Sequence, residues 1–250
     1  MSDHQKPVRR AFVFGGGGVL GFAWIVGALT AIQHELGIEP GAGDLVVGTS
    51  AGSVIAGLLG CGVDIDTIRR HQLGMPLPED PAITWNYDVD TGGSLPRRPG
   101  LRPGSPRLLW DGIRQPSMVS PVRIDARSYI DGGTASNASV DLVPKDEFDE
   151  VYVLAPMAAL EPDSPRSPVA MVERRMRRAI TKGIAGDVAV LREAGARVML
   201  LTPGRDDLSV MGANLMNPNR RIVVLHTTMR TAAVELRNQQ HGARRRVATP

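Results

Sequence analysis

Apolar and polar positions in the first sixty residues fall into a pattern that repeats. Ala11-Phe12-Val13-Phe14 is a continuous apolar run, as expected of a strand covered on both faces, and Gly15-Gly16-Gly17-Gly18 follows it as a turn. Positions 20–36 are then mostly apolar and predict a helix, with Gly37 placed to end it. A second short strand, Asp44-Leu45-Val46-Val47, runs straight into Gly48-Thr49-Ser50-Ala51-Gly52. The small apolar residues at 54–59 read as a helix buried against a sheet. Strand, turn and helix in immediate repetition argue for an α/β fold with a parallel sheet and right-handed crossovers.

The pattern breaks between about 75 and 121, where Pro76, Pro78, Pro81, Pro96, Pro99, Pro103, Pro106, Pro116 and Pro121 interrupt any long element. Trp85 and Trp110 lie in this stretch, which is expected to act as a lid over a site. Order returns with Arg127-Ser128-Tyr129-Ile130, read as a strand delivering Asp131-Gly132-Gly133 to the same sheet edge. Residues 150–155 and 197–202 are further strands. Val169, Val172, Met176, Ile180, Ile184, Val188 and Leu191 recur at steps of three and four, which predicts a long amphipathic helix. Its other face carries Arg174, Arg175, Arg177, Arg178 and Lys182 and is read as solvated, with contact to anionic lipid as the alternative. Asn217-Pro218 is a cap and first-turn proline opening a last helix, whose core face is assigned to Ile222, Leu225, Met229, Ala233 and Leu236. Residues 244–250 read as a loose basic tail, and the whole of 1–250 as a single domain.

Composition narrows the function classes. One cysteine, Cys61, excludes an intrachain disulfide and a cysteine-based zinc cluster. The net charge of +3 rests on scattered arginines rather than basic blocks interleaved with aromatics, so nucleic acid is not an expected partner. The uncharged run 11–32 after Arg9-Arg10 has the look of a secretion signal, but four glycines at 15–18 weaken a spanning helix and no A-x-A cleavage site closes the run. A cytoplasmic or membrane-peripheral location is therefore expected rather than secretion.

Gly48-Thr49-Ser50-Ala51-Gly52 fits G-x-S-x-G, in which a serine sits on a sharp turn from strand to helix and both glycines clear space around it. Ser50 would stand at a helix N-terminus, where the dipole and free N–H groups favour negative charge. Gly16, Gly17 and Gly18 are the candidate oxyanion donors, brought beside Ser50 if the two strands are neighbours. The run Gly16-Gly17-Gly18-Val19-Leu20-Gly21 also fits the dinucleotide fingerprint G-x-G-x-x-G. That reading wants an acidic residue at the end of the second strand, where Gly48-Thr49-Ser50 stands instead. For a base, Ser50, Asp131 and His226 have the chain order of an α/β-hydrolase triad, but His226 falls inside a helix. Asp131, cleared by two glycines, is the better candidate; an exposed aspartate, with an ordinary value of about 3.9, is a poor base, and partial desolvation or a favourable hydrogen bond to Ser50 is expected to make it adequate.

The glycine loop, G-T-S-A-G some thirty residues on, and a strand ending in Tyr129-Ile130-Asp131-Gly132-Gly133 together resemble the patatin-like phospholipase family across about residues 11–142. The resemblance implies a three-layer α/β/α sandwich with a mainly parallel central sheet, a Ser-Asp dyad and no catalytic histidine. Carried over by motif, Ser50 is the nucleophile, Asp131 the base, Gly16, Gly17 and Gly18 the oxyanion loop, and Gly48 and Gly52 frame the elbow. One position departs from the pattern: Leu20 stands where the family usually has Arg or Lys.

The expected function is a serine acyl hydrolase, of lipase or phospholipase type, that cleaves fatty-acyl esters of lipids through an acyl-enzyme. No metal or organic cofactor is expected. The acyl chain is expected against the Trp85 and Trp110 region and the 211–216 stretch. The alternatives are a Ser-Asp-His esterase and a non-catalytic protein that binds lipid or dinucleotide.

Overall fold

The computed structural model describes residues 7–83, 122–124, 127–129, 136–161 and 168–247. Their core is a four-stranded parallel sheet in the order β2-β1-β5-β6, formed by β1 (Arg10–Phe14), β2 (Leu45–Gly48), β5 (Glu150–Leu154) and β6 (Arg197–Leu201). Registers run Phe12↔Val46, Phe12↔Tyr152 and Tyr152↔Met199, so all four carboxyl ends lie along one edge.

Strand alternation sorts the side chains into two cores, because successive residues of a strand point to opposite faces. Phe12, Phe14, Tyr152, Leu154 and Leu201 face one layer, where Phe12 stacks on Tyr152 with ring centroids 5.1 Å apart. That layer holds α1 (Gly18–Leu36), α2 (Ala51–Gly60), α3 (Ile65–Leu73), α5 (Arg205–Met211) and α6 (Arg221–Val247). Ala11, Val13, Val151, Val153, Val198 and Leu200 face the other, covered by α4 (Pro168–Glu193) and the 3-10 turn Val140–Leu142. Helix, sheet and helix thus form the expected three layers.

The uncharged run 11–32 is β1 and the buried body of α1, in which every residue from Val19 to Ile32 is buried. By length and composition α1 could cross a membrane, but here it is the central helix of the first layer. It must be apolar all round because it meets the sheet on one side and α6 on another. The two helices come so close at Gly27 that a methyl group there would lie 2.8 Å from Leu225 O. Gly37 ends α1 in the left-handed conformation at φ 64°, as its position predicted.

Several expectations need correction. Arg127–Tyr129 is a strand, β4, but it pairs antiparallel with β3 (Val122–Ile124) in a separate hairpin rather than joining the parallel sheet. With two residues between them, the two strands satisfy each other locally and need no crossover. Among the described side chains of α4 the buried positions are Arg177, Thr181 in part, Ile184, Val188 and Leu191, whereas Met176 is 37% exposed; the side chains of Val169 and Val172 lie outside those described. Arg177, assigned to the solvated basic face, is fully buried. On α6 the buried stripe is Val224, Leu225, Thr228, Ala232 and Leu236, and Ile222 is 41% exposed. Close approach to Gly27 of α1 draws Thr228 inward and turns Ile222 out. Residues 244–247 continue α6 instead of forming a loose tail.

The helix α3 had no counterpart in the expected elements. Its signals are nonetheless plain: Asp64 accepts the Thr67 N–H at 2.7 Å as N-cap, Ile65 and Ile68 are buried, and Gly74 closes the helix at φ 71°. Asp80 then ties the start of the Pro-rich stretch back to this helix through an ion pair with Arg70. The rest of that stretch, 84–121 with Trp85 and Trp110, lies outside the described residues, as does Asp131.

Candidate active site

Ser50 sits between β2 and α2 with φ 52° and ψ −119°, one of two non-glycine residues of positive φ among the described residues. Such a backbone is costly for an L-residue and persists only where its surroundings enforce it. Those surroundings are visible. Thr49 N–H donates to Phe14 O at 2.9 Å, Gly52 N–H to Thr49 O at 2.9 Å, and Ser53 N–H and Oγ both donate to Ser50 O, at 2.9 and 2.6 Å. The Ser50 side is exposed, and its hydroxyl makes no hydrogen bond with any described residue.

Both glycines of the motif are demanded by contact. A methyl group on Gly48 would stand 2.6 Å from Ser53 Cα, and one on Gly52 would lie 2.6 Å from the carbonyl carbon of Phe14. The sharp turn therefore presses α2 back onto β1 and β2, and only backbone fits between.

The glycine loop is Ser50's neighbour, as the adjacency of β1 and β2 requires. A methyl group on Gly16 would touch Ser50 Cβ at 3.4 Å and Asn137 Nδ2 at 3.4 Å. Gly18 has φ 60°, and a side chain there would meet Met216 Sδ at 2.6 Å. The loop's donors divide into two groups. Gly15 N–H goes to Leu154 O and Gly16 N–H to Asn137 O, both at 2.8 Å, while Leu20 N–H goes to Leu215 O at 2.9 Å. The N–H groups of Gly17, Gly18 and Val19 donate to no described acceptor, and neither does that of Ala51. Gly16 thus anchors the loop, while Gly17 and Gly18 offer donors.

Ala51 is the donor that residue-by-residue reading missed. Its signal was its place directly after the serine at the first turn of a helix, where N–H groups have no intrahelical partner. Asn137 was missed as well. Its carbonyl anchors Gly16, and its turn is joined to the elbow by Thr49 Oγ1 and Ser139 Oγ at 3.0 Å.

Of the remaining candidates, Leu20 is fully buried in the first-layer core, so no polar group takes the place of the family's cation at that position. His226 is exposed on α6 and makes no hydrogen bond with a described residue. Met211 belongs to the core, while Met216 is 42% exposed against the glycine loop. A separate cleft opens where β6 meets α5 and α6, lined by Trp24, Leu201, Pro203, Asp207 and Arg230, and includes neither Ser50 nor the loop.

The arrangement is chemically specific: an exposed hydroxyl on a strained elbow at a helix N-terminus, next to backbone donors cleared of side chains. No curated protein matches the chain. Residues 12–79, which carry β1, the glycine loop, the Ser50 elbow and α3, match the family of patatin-like phospholipases.

Proposed function

We propose that the protein is a serine acyl hydrolase acting on fatty-acyl esters of lipids. The observation that carries this reading is Ser50, held at positive φ between β2 and α2 and set against a glycine loop with unused N–H groups. The match of residues 12–79 to patatin-like phospholipases, a family acting on lipid substrates, supports the substrate class.

In this mechanism Ser50 Oγ attacks the ester carbonyl carbon and its proton passes to Asp131. The carbonyl oxygen gains negative charge and is held by the N–H groups of Gly17, Gly18 and Ala51, which donate to no described acceptor in the resting protein. Collapse of the tetrahedral species expels the alcohol, which takes the proton from Asp131, and leaves Ser50 acylated. Water, deprotonated by the same aspartate, then attacks the acyl-enzyme; the bond to Ser50 Oγ breaks, Asp131 returns its proton to that oxygen, and the fatty acid leaves.

The test is covalent labelling by a fluorophosphonate, read by intact mass, on wild type, Ser50→Ala, Asp131→Asn and His226→Ala. Labelling is expected in wild type and His226→Ala, absent in Ser50→Ala and slowed about 100-fold or more in Asp131→Asn. A folded wild type that does not label defeats the reading. Loss of labelling in a folded His226→Ala would replace the dyad with a triad.

A further inference from the structure

Arg177 is the largest polar side chain in the core, with no exposed surface, and it lies in the middle of a face otherwise made for apolar packing. Together with Thr181, Ile184, Val188 and Leu191 it follows steps of four and three along α4, the spacing of one helix stripe. A leucine or methionine would fill such a position without taking a charge out of water, which costs several kcal/mol on the order of what a domain can spare. The guanidinium goes to a particular place. Arg177 Nη1 donates to Pro156 O at 2.6 Å and to Ala158 O at 3.4 Å, and Ala159 N–H donates to Thr181 Oγ1 at 2.9 Å one helical turn further on.

These carbonyls belong to the tight turn that leaves the carboxyl end of β5, closed by Ala158 N–H donating to Ala155 O at 3.0 Å. Pro156 occupies its second position, where a fixed φ is favoured. Its ring is the floor of the glycine loop. A methyl group would stand 3.3 Å from Pro156 Cδ if placed on Gly15, 3.0 Å from Cγ on Gly17, and 3.3 Å from Cγ on Gly21. The loop has no side chains of its own with which to hold its shape, and glycine is the residue with most freedom to lose. What holds it must come from outside.

We infer that Arg177 is a positioning residue for the oxyanion loop: it clamps the 155–158 turn through two carbonyls, so that Pro156 braces Gly15, Gly17 and Gly21 from below. This rests on the acyl-hydrolase reading for its consequence in catalysis. Charged donors make stronger hydrogen bonds to carbonyls than neutral ones, and here Nη1 is shared between the two carbonyls, with the short bond to Pro156 O as the main hold. A misplacement of about 1 Å in such a loop is enough to cost about 100-fold in rate.

The experiment compares wild type with Arg177→Met, Arg177→Lys, Pro156→Ala and, as a packing control, Val188→Ala. Each is assayed for turnover of a soluble short-chain ester, and amide hydrogen exchange is followed by mass spectrometry on the peptide containing residues 15–21. Arg177→Met and Pro156→Ala are expected to lower kcat about 10- to 100-fold with KM within about twofold, and to speed exchange in the loop peptide. Arg177→Lys is expected to recover part of kcat. Val188→Ala, three turns away on the same stripe, is expected to lower stability and leave kcat unchanged. Should Arg177→Met fail to fold, Arg177→Lys and Pro156→Ala carry the comparison. Full kcat and unchanged loop exchange in folded Arg177 and Pro156 variants overturn the inference while leaving the hydrolase reading intact. A wild type that neither labels nor turns over ester removes the hydrolase reading, and the catalytic role of Arg177 falls with it.

Discussion

Ser50 combines two demands that conflict in most side chains, a strained backbone and an unencumbered hydroxyl. Its φ of 52° with ψ of −119° is a conformation glycine adopts freely, so Ser50→Gly is expected to raise stability by about 1 kcal/mol while abolishing fluorophosphonate labelling. Urea unfolding beside intact mass reads both, and a loss of stability in that variant would mean the elbow is not strained. Two residues on, the argument is one of contact. Gly52 lies against the Phe14 carbonyl, both of them backbone, so neither partner can swing aside for a methyl group. Gly52→Ala is expected to cost about 3 kcal/mol and is measured in the same way. These needs were legible in G-x-S-x-G because the motif is itself a statement about backbone packing. The division of labour among Gly16, Gly17 and Gly18 was not. It depends on Asn137, far away in the chain, whose carbonyl takes the Gly16 N–H.

Among the elements, β1, β2, β5 and β6, the end of α1 and the approach to α6 were readable because each is a local signal: an apolar run, a left-handed glycine, and an Asn-Pro pair that caps the 3-10 turn Pro218–Arg220 leading straight into α6. Which face a helix buries was less so. On α4 the repeat through Met176 and the repeat through Arg177 are one residue apart, and hydrophobicity alone favours the first. The second is the one buried, and there the guanidinium donates to the carbonyls of Pro156 and Ala158. Besides the Met75 N–H bond to Arg70 O at 2.9 Å, one carboxylate links α3 to the chain that follows it. Asp80 pairs with Arg70, whose hydrogen bond, opposed by burial and aided by the Leu77 N–H and the Thr67 hydroxyl, holds the Asp80 carboxyl well below the usual range. The unfolded chain therefore takes up a proton first as pH falls past about 4, so this contribution to stability is full above that pH and drains away below it. Asp80→Asn is expected to be less stable than wild type at pH 7, with the gap narrowing by pH 3 in urea titrations. A gap independent of pH would show that the pair contributes nothing through charge.

At the scale of the molecule, the sheet separates two kinds of work. At its amino end Glu150 accepts from Arg10 Nε at 2.8 Å and from Tyr152 Oη at 3.0 Å, and pairs with Arg197, joining three neighbouring strands. Burial pushes the Glu150 carboxyl up, but these hydrogen bonds together outweigh it and hold it low. The carboxyl edge carries the elbow and the loop. On the first layer Asp207 accepts from Gly204 N–H at 3.0 Å, Thr228 Oγ1 at 2.9 Å and Thr231 Oγ1 at 3.0 Å, binding the β6–α5 connection to α6. Burial raises its pKa despite those donors. Its sign is the reverse of Asp80: the folded state holds the proton more tightly, so the contribution to stability declines as pH rises from about 4 through the raised value. Asp207→Ala is expected to cost about 2 kcal/mol at neutral pH, since the Gly204 N–H and the Thr228 hydroxyl lose their acceptor in a buried site. Calorimetry checks this, and an unchanged melting temperature would deny the node any role in stability. Alternation of strand and helix, the G-x-S-x-G elbow and the need for glycine around it could be read along the chain, because these follow from period, chirality and close backbone approach within a few residues. That β4 pairs outside the parallel sheet, that Arg177 is buried and that Asn137 and Pro156 hold the loop came from the folded chain alone, because each depends on which distant groups compete for the same hydrogen bond or the same space.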